Sequence, residues 1–122
     1  MLQTFDERNR DLIVSVNGHL VHRERAAISP FDSAVQGGDA VWEGLRLYQG
    51  KIFRLAEHLA RLRRSAAALA FASVPSDEEI TGQIRAALRA NGVTVEIITP
   101  EAAFLAGLSA IAAASREHGG AR

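Results

Sequence analysis

Cysteine is absent from this 122-residue sequence. Neither a disulfide framework nor a cysteine-rich metal site can be built from it, and a cytoplasmic, reducing setting is the expectation. Net charge is absent too, because 14 basic residues cancel 14 acidic ones. That removes the basic excess expected of nucleic-acid binders and of basic membrane-surface proteins. No apolar run approaches the length of a membrane span, and the alanine-rich stretches are short and cut by charge. The first twelve residues carry Asp6, Glu7, Arg8, Arg10 and Asp11 where a secretory signal would be apolar, so no signal is expected there. Internal repeats, a Gly-x-Gly-x-x-Gly loop and a Walker-type loop are all missing. Tryptophan occurs once, as Trp42, and lysine once, as Lys51.

What is present suits one soluble domain. The hydrophobic fraction is 48% and the charged fraction 23%, both ordinary for a globular chain. Ile13 to Val16 is β-branched and apolar, Asn17-Gly18 follows, and His19 to His22 reads as the returning strand of a hairpin. Ala26 to Phe31 reads as a short third extended piece and Val41 to Tyr48 as a further strand. Gln49-Gly50 then turns the chain so that Lys51 to Arg54 pairs back. Leu55, Leu59, Leu62, Ala66 and Leu69 recur at helical spacing and predict an amphipathic helix. Ser76-Asp77-Glu78-Glu79 opens a second helix with a capping box, Ile80, Ile84, Ala87 and Leu88 form its buried face, and Asn91-Gly92 stops it. Val93 to Ile98 reads as a strand, and Thr99-Pro100 as the start of a third helix with Phe104, Leu105, Leu108 and Ile111 on its apolar face. Strands, two helices, strand and helix together indicate an α+β fold.

Few residues speak for a function one at a time. The four histidines, His19, His22, His58 and His118, show no metal-ligand spacing, so no metal site is expected. Asp32, Asp39 and Glu43 read as solvated or locally hydrogen-bonded acids. Arg61, Arg63 and Arg64 cluster on the first long helix; such a cluster is either a solvated face or an anion site, since guanidinium grips phosphate in a forked geometry. Trp42 is by default a core residue, with a pocket wall as the alternative.

Read together, the segments gain a meaning. Val16-Asn17-Gly18-His19-Leu20-Val21 precedes Ala26-Ala27-Ile28-Ser29-Pro30-Phe31-Asp32. Gly38-Asp39-Ala40-Val41-Trp42-Glu43-Gly44-Leu45-Arg46 follows, then Phe53-Arg54-Leu55-Ala56-Glu57-His58-Leu59-Ala60-Arg61-Leu62 and Ser65-Ala66. This ordered set, from about residue 13 to residue 92, resembles the N-terminal small domain of class IV (fold-type IV) aminotransferases. That family includes branched-chain amino acid aminotransferases, D-amino acid aminotransferases and aminodeoxychorismate lyase; Val41-Trp42-Glu43-Gly44 looks closest to the branched-chain group.

The resemblance implies an antiparallel sheet with two main helices in residues 1–92, and a divergent or truncated tail in residues 93–122. It implies pyridoxal 5'-phosphate as cofactor, amino acids and 2-oxo acids as substrates, and a homo-oligomer or a full-length relative as partner. Arg61 stands where the family's arginine contacts the cofactor phosphate. Trp42 stands where an aromatic residue lines the substrate pocket, and Gly44 where a glycine keeps that wall open. Gly37 stands where branched-chain enzymes often carry tyrosine, which leaves substrate preference unassigned.

The family's chemistry also needs a lysine amine to capture the cofactor aldehyde and shuttle the proton. Relatives carry it in a larger C-terminal domain. Lys51 lies in the hairpin before the phosphate arginine, where relatives have a variable turn residue, so it does not inherit the role and reads as a solvated turn residue. Glu101 to Gly107 resembles a late segment of the family that lies near the cofactor phosphate; an unrelated alanine-rich helix is the alternative. The expectation is a truncated aminotransferase that is inactive alone, or else a non-catalytic module that pairs with a full-length relative, or one half of a split enzyme. Its apolar surface, left without the larger domain, is expected to give marginal stability or self-association.

Overall fold

A computed structural model of the protein describes residues 5–96. The expected third helix and its apolar face, and residues 97–98 of the expected last strand, lie outside these residues. Two β-hairpins, three α-helices and two three-residue 3-10 helices, Glu7–Asn9 and Arg23–Arg25, make up the described part, in a small α+β arrangement. Strands β1 (Ile13–Val16) and β2 (His19–His22) pair antiparallel, with Ile13 opposite His22 and Val16 opposite His19. Strands β3 (Leu47–Tyr48) and β4 (Lys51–Ile52) form a second, separate antiparallel pair. The single sheet expected from sequence is thus two two-stranded ladders.

Both hairpins turn on a pair of left-handed residues, Asn17 at φ 51° with Gly18 at 79°, and Gln49 at φ 48° with Gly50 at 77°. Positive φ at both central positions matches the right-handed twist of the flanking strands. Asn and Gly adopt it readily, whereas Gln49 does so at a steric cost.

A short helix, α1 (Ser33–Gln36), follows the first hairpin; the expected extended piece at 26–31 joins no ladder, starts extended at Ala26 and ends in a turn at Pro30-Phe31. The reason lies in Ser29-Pro30-Phe31-Asp32. Ser29 Oγ accepts from the Phe31 amide at 3.2 Å, and the Ser29 carbonyl accepts from the Asp32 amide at 3.0 Å. Pro30 has no amide to give to a ladder. Asp32 then caps α1 by accepting from the Ala34 amide at 2.8 Å.

The expected strand over 41–48 is also shorter, since only Leu47 and Tyr48 are laddered. Its alternation survives all the same. Val41, Glu43 and Leu45 are half-buried, while Trp42, Gly44 and Arg46 are exposed. Residues 41–46 lie in no ladder, although the Arg46 carbonyl accepts from the Phe53 amide at 2.9 Å just beyond the β3–β4 pair.

The two long helices are α2 (Leu55–Ala68) and α3 (Asp77–Ala90). Leu59 and Ala66, on the predicted stripe of α2, are the buried hydrophobic residues among those described. Helix α3 starts with the predicted capping box: Ser76 Oγ accepts from the Glu79 amide at 3.1 Å, and the Ser76 amide donates to Glu79 Oε2 at 2.7 Å. Arg63 ties the two helices, donating to Asp77 Oδ1 at 2.7 Å and to the Pro75 carbonyl at 2.8 Å. Helix α3 packs on β1 and β2, and Asn91 fastens its end to the edge of β1. Past α3, residues 93–96 are not laddered, although the Glu96 amide donates to the Gly50 carbonyl at 2.7 Å.

The two helices end with the same hydrogen bonds but different residues. At α3 the Val93 amide reaches the Leu88 carbonyl and the Gly92 amide the Arg89 carbonyl, with Gly92 at φ 73°. At α2 the Phe71 amide reaches the Ala66 carbonyl and the Ala70 amide the Ala67 carbonyl, with Ala70 at φ 55°. This closing motif wants glycine at the left-handed position, and an alanine there carries a Cβ penalty. Ala70→Gly is therefore expected to stabilise the chain by about 1 kcal/mol, the left-handed penalty less the added freedom of the unfolded chain. A urea midpoint that moves up, at unchanged slope, is the result to look for.

Candidate functional site

The half-buried face of the 41–46 segment lies against α2 through one carboxylate. Val41, Glu43 and Leu45 are the half-buried residues at every second position, the alternation expected of extended backbone. An acid on that side must find donors, since an unpaired buried charge is costly. Glu43 finds three. Its Oε1 accepts from Arg61 Nε at 2.6 Å, and its Oε2 accepts from Arg61 Nη2 at 2.5 Å and from His58 Nδ1 at 2.7 Å.

His58 and Arg61 are three residues apart on α2 and so share one flank of the helix. An ionised Glu43 can only accept, so Nδ1 of His58 carries its proton and donates. The 3.3 Å contact between Arg61 Nη2 and His58 Nδ1 then sets two donors side by side around one carboxylate. Exposure grades outward through the group. The side chains of Glu43, His58 and Arg61 are 9%, 20% and 59% exposed.

The Arg61 guanidinium, and after it His58, holds the Glu43 carboxyl down from an ordinary 4.5 to about 2. A depressed carboxyl contributes stability that is complete above its unfolded value and is lost as pH falls through its folded value. The loss therefore runs from about pH 4.5 down to about pH 2. Asp6, Glu57 and Glu79 are shifted in the same direction by Arg8, by Arg54 and by the Ser76 amide. Thermal melts at stepped pH should show wild type above Glu43→Gln at pH 6, with the gap closing towards pH 2. A gap that stays constant with pH would mean that the carboxylate charge contributes nothing.

Glu43, expected from sequence to be a solvated or locally hydrogen-bonded acid, is bonded to residues distant in the chain instead. Its partners lie 15 and 18 residues away. The signal was available: Glu43 sits between Val41 and Leu45 on the inward register, and His58 and Arg61 share a helix flank. Trp42 is a second correction to its default reading, being 84% exposed and not a core residue. Gly44 stands on the same outward side, and a Cβ placed on it would meet Trp42 Cζ3 at 3.5 Å, an ordinary contact. Trp42 and Gly44 thus flank the residue that binds Arg61, so all three predicted site residues are joined through Glu43.

Arg64 is exposed, and Arg63 is taken up by Asp77. Lys51 is about half exposed, with Nζ 3.8 Å from Glu96 Oε2. His22 lies 3.6 Å from Asp11 on the first hairpin. Among the described residues no three acids or histidines converge to hold a metal ion. No helix among them is long and apolar enough to cross a membrane.

Residues 40–116 match the family model described as amino-transferase class IV. The chain is 55% identical over 85 residues to branched-chain-amino-acid aminotransferase-like protein 2 of Arabidopsis thaliana, covering 70% of this chain and 15% of that protein. It is 40% identical over 80 residues to D-alanine aminotransferase of Listeria monocytogenes serotype 4b, covering 66% of this chain and 28% of that protein. It is 39% identical over 72 residues to D-alanine aminotransferase of Bacillus licheniformis, covering 59% of this chain and 25% of that protein. The chain thus spans less than a third of the length of these relatives.

Proposed function

The chain belongs to the class IV amino-transferase family, and from that premise we propose that its residues 13–92 form the cofactor-anchoring small domain of a fold-type IV transaminase. In this reading Arg61 holds the phosphate of pyridoxal 5'-phosphate, and Trp42 with Gly44 walls the substrate pocket. The observation that carries the reading is the state of Arg61. Its Nε and Nη2 are fixed on Glu43, while Nη1 makes no hydrogen bond among the described residues and the side chain stays 59% exposed. A guanidinium held on one edge and open on the other fits a phosphate ester.

The aldehyde end of that cofactor is not matched in the same way. It requires an amine, and the one lysine of these 122 residues is exposed on β4 and faces Glu96. The cofactor, when bound, supplies the electron sink that lets an amino group pass between an amino acid and a 2-oxo acid. These residues bind and orient; the amine comes from outside them, either further along a longer chain or on a second polypeptide. The match to a branched-chain-like relative at 55% identity favours branched-chain substrates over D-amino acids. The family match also runs past Gly92 to residue 116, which supports reading the tail as family sequence.

The test is a graft. Residues 13–92 replace the matching segment of the Listeria enzyme, which keeps that enzyme's own downstream part. The graft should retain pyridoxal phosphate through gel filtration, and Arg61→Gln within it should weaken retention by about tenfold or more, the worth of one charge-assisted pair. Retention unaffected by Arg61→Gln would remove the phosphate role.

One observation favours a second reading alongside the first. Ile28, Phe31, Val35 and Trp42 are 66%, 83%, 57% and 84% exposed. Large apolar side chains left this bare suit a covering neighbour. A full-length class IV relative would supply one, making the chain an assembly module. Co-purification of the chain with such a relative supports this reading, and a monomer that ignores it does not.

A further inference from the structure

The geometry points to Glu43 as a positioning residue, which clamps one edge of the Arg61 guanidinium so that the other edge meets an anion at a fixed angle. This deepens the phosphate role given to Arg61 above and rests on that reading. Three features of the group support it. First, Glu43 takes Nε and Nη2 together, at 2.6 and 2.5 Å, which fixes the plane of the fork as well as its position. Second, Glu43 is itself fixed: its side chain is 9% exposed and His58 holds Oε2 at 2.7 Å. Third, Glu43 lies between Trp42 and Gly44, so the clamp also sets the distance from the anion site to the outward face of that segment.

Electrostatics alone argues for the opposite effect. A carboxylate beside a guanidinium lowers the local positive potential and should weaken anion binding. Removing it should then tighten binding. A clamp works otherwise, because an exposed arginine has several rotatable bonds, and fixing them before the anion arrives lowers the entropic cost of binding. The sign of the change therefore separates the two.

The experiment titrates the 122-residue chain with inorganic phosphate and follows the Arg61 side-chain nitrogen signals by NMR. In wild type the Arg61 Nη signals should be resolved, because rotation about the Nε–Cζ bond is restrained. In Glu43→Ala they should merge, and phosphate affinity should fall by about fivefold, the worth of roughly one ordered side chain. Glu43→Asp keeps the charge but is one methylene too short to reach the fork, so it should weaken binding in the same direction; it also covers the case in which the alanine variant does not fold. Equal or tighter phosphate binding in Glu43→Ala, unchanged binding in Glu43→Asp, or merged Nη signals in wild type would each overturn the clamp. Arg61→Gln separates the two ideas. If it binds phosphate as wild type does, the anion role of Arg61 fails and the clamp loses its purpose, whatever the NMR signals show.

Discussion

Leu59→Ala is expected to abolish the cooperative thermal transition of the chain. Leu59 is 6% exposed and Ala66 1% exposed, and these are the buried hydrophobic residues among those described. Helix α2 is thus held by a very small core, and a small domain buries a small share of its surface. A leucine cut back to alanine in a packed site costs about 2–5 kcal/mol, through lost transfer energy and the cavity left behind. A single small hydrophobic core rarely supplies more than about 3–5 kcal/mol. The substitution therefore removes most or all of the margin. Circular dichroism should show a broad, shallow melt and a hydrophobic dye should bind at room temperature. Arg64→Ala, on an exposed part of the same helix, should stay within about 0.5 kcal/mol of wild type. A sharp melt of Leu59→Ala near the wild-type temperature would show that the core lies elsewhere.

Asn91→Ala should be the next most damaging change, although Asn91 lies in no strand and caps the end of α3. Its amide copies a strand residue. Oδ1 accepts from the Ile13 amide at 2.8 Å and Nδ2 donates to the Ile13 carbonyl at 2.8 Å. Nδ2 also donates to the Ala87 carbonyl at 2.7 Å. One side chain thus satisfies the edge of β1 and the last turn of α3 at once. At about 1 kcal/mol net for each bond, its loss should cost about 2–3 kcal/mol. Asn91→Asp separates shape from chemistry. It keeps the acceptor but loses both donors and sets a carboxylate against two carbonyl oxygens, so it should be no better than alanine. Urea midpoints measure both, and a shift worth less than about 0.5 kcal/mol in each would show that water replaces the amide without loss.

The elements that sequence predicted well are those written in local contacts. The first hairpin needs only Asn17-Gly18 between two apolar runs, and α3 needs only Ser76, Glu79 and Gly92 at its ends. The closing turn of α2 was not visible, because Ala70 occupies a position that usually announces itself as glycine. The extended pieces at 26–31 and 41–46 were harder for a different reason. Strand ladders depend on a partner, and an alternating pattern gives the face without giving the neighbour. The pattern at 41–46 held in burial though not in pairing.

The candidate site divides along the same line. Local sequence context does not separate Arg61 from Arg63 and Arg64; at the level of sequence, only family resemblance does. Structure separates the three: Arg61 meets Glu43, Arg63 meets Asp77, and Arg64 is exposed. Sequence alone does not pair Glu43 with His58, because their contact spans 15 residues and only the fold brings the 41–46 segment and a helix flank together.

In the proposed reading, Arg61 would anchor the cofactor phosphate, while Lys51, the one lysine of these 122 residues, is not placed for its aldehyde. The most direct test of that reading uses the 122-residue chain with pyridoxal phosphate, a branched-chain amino acid and a 2-oxo acid, followed by borohydride reduction and peptide mass mapping. The expected result is no amino-group exchange and no stoichiometric adduct at a single site. One reduced adduct per chain at Lys51, together with turnover that disappears in Lys51→Ala, would contradict the account.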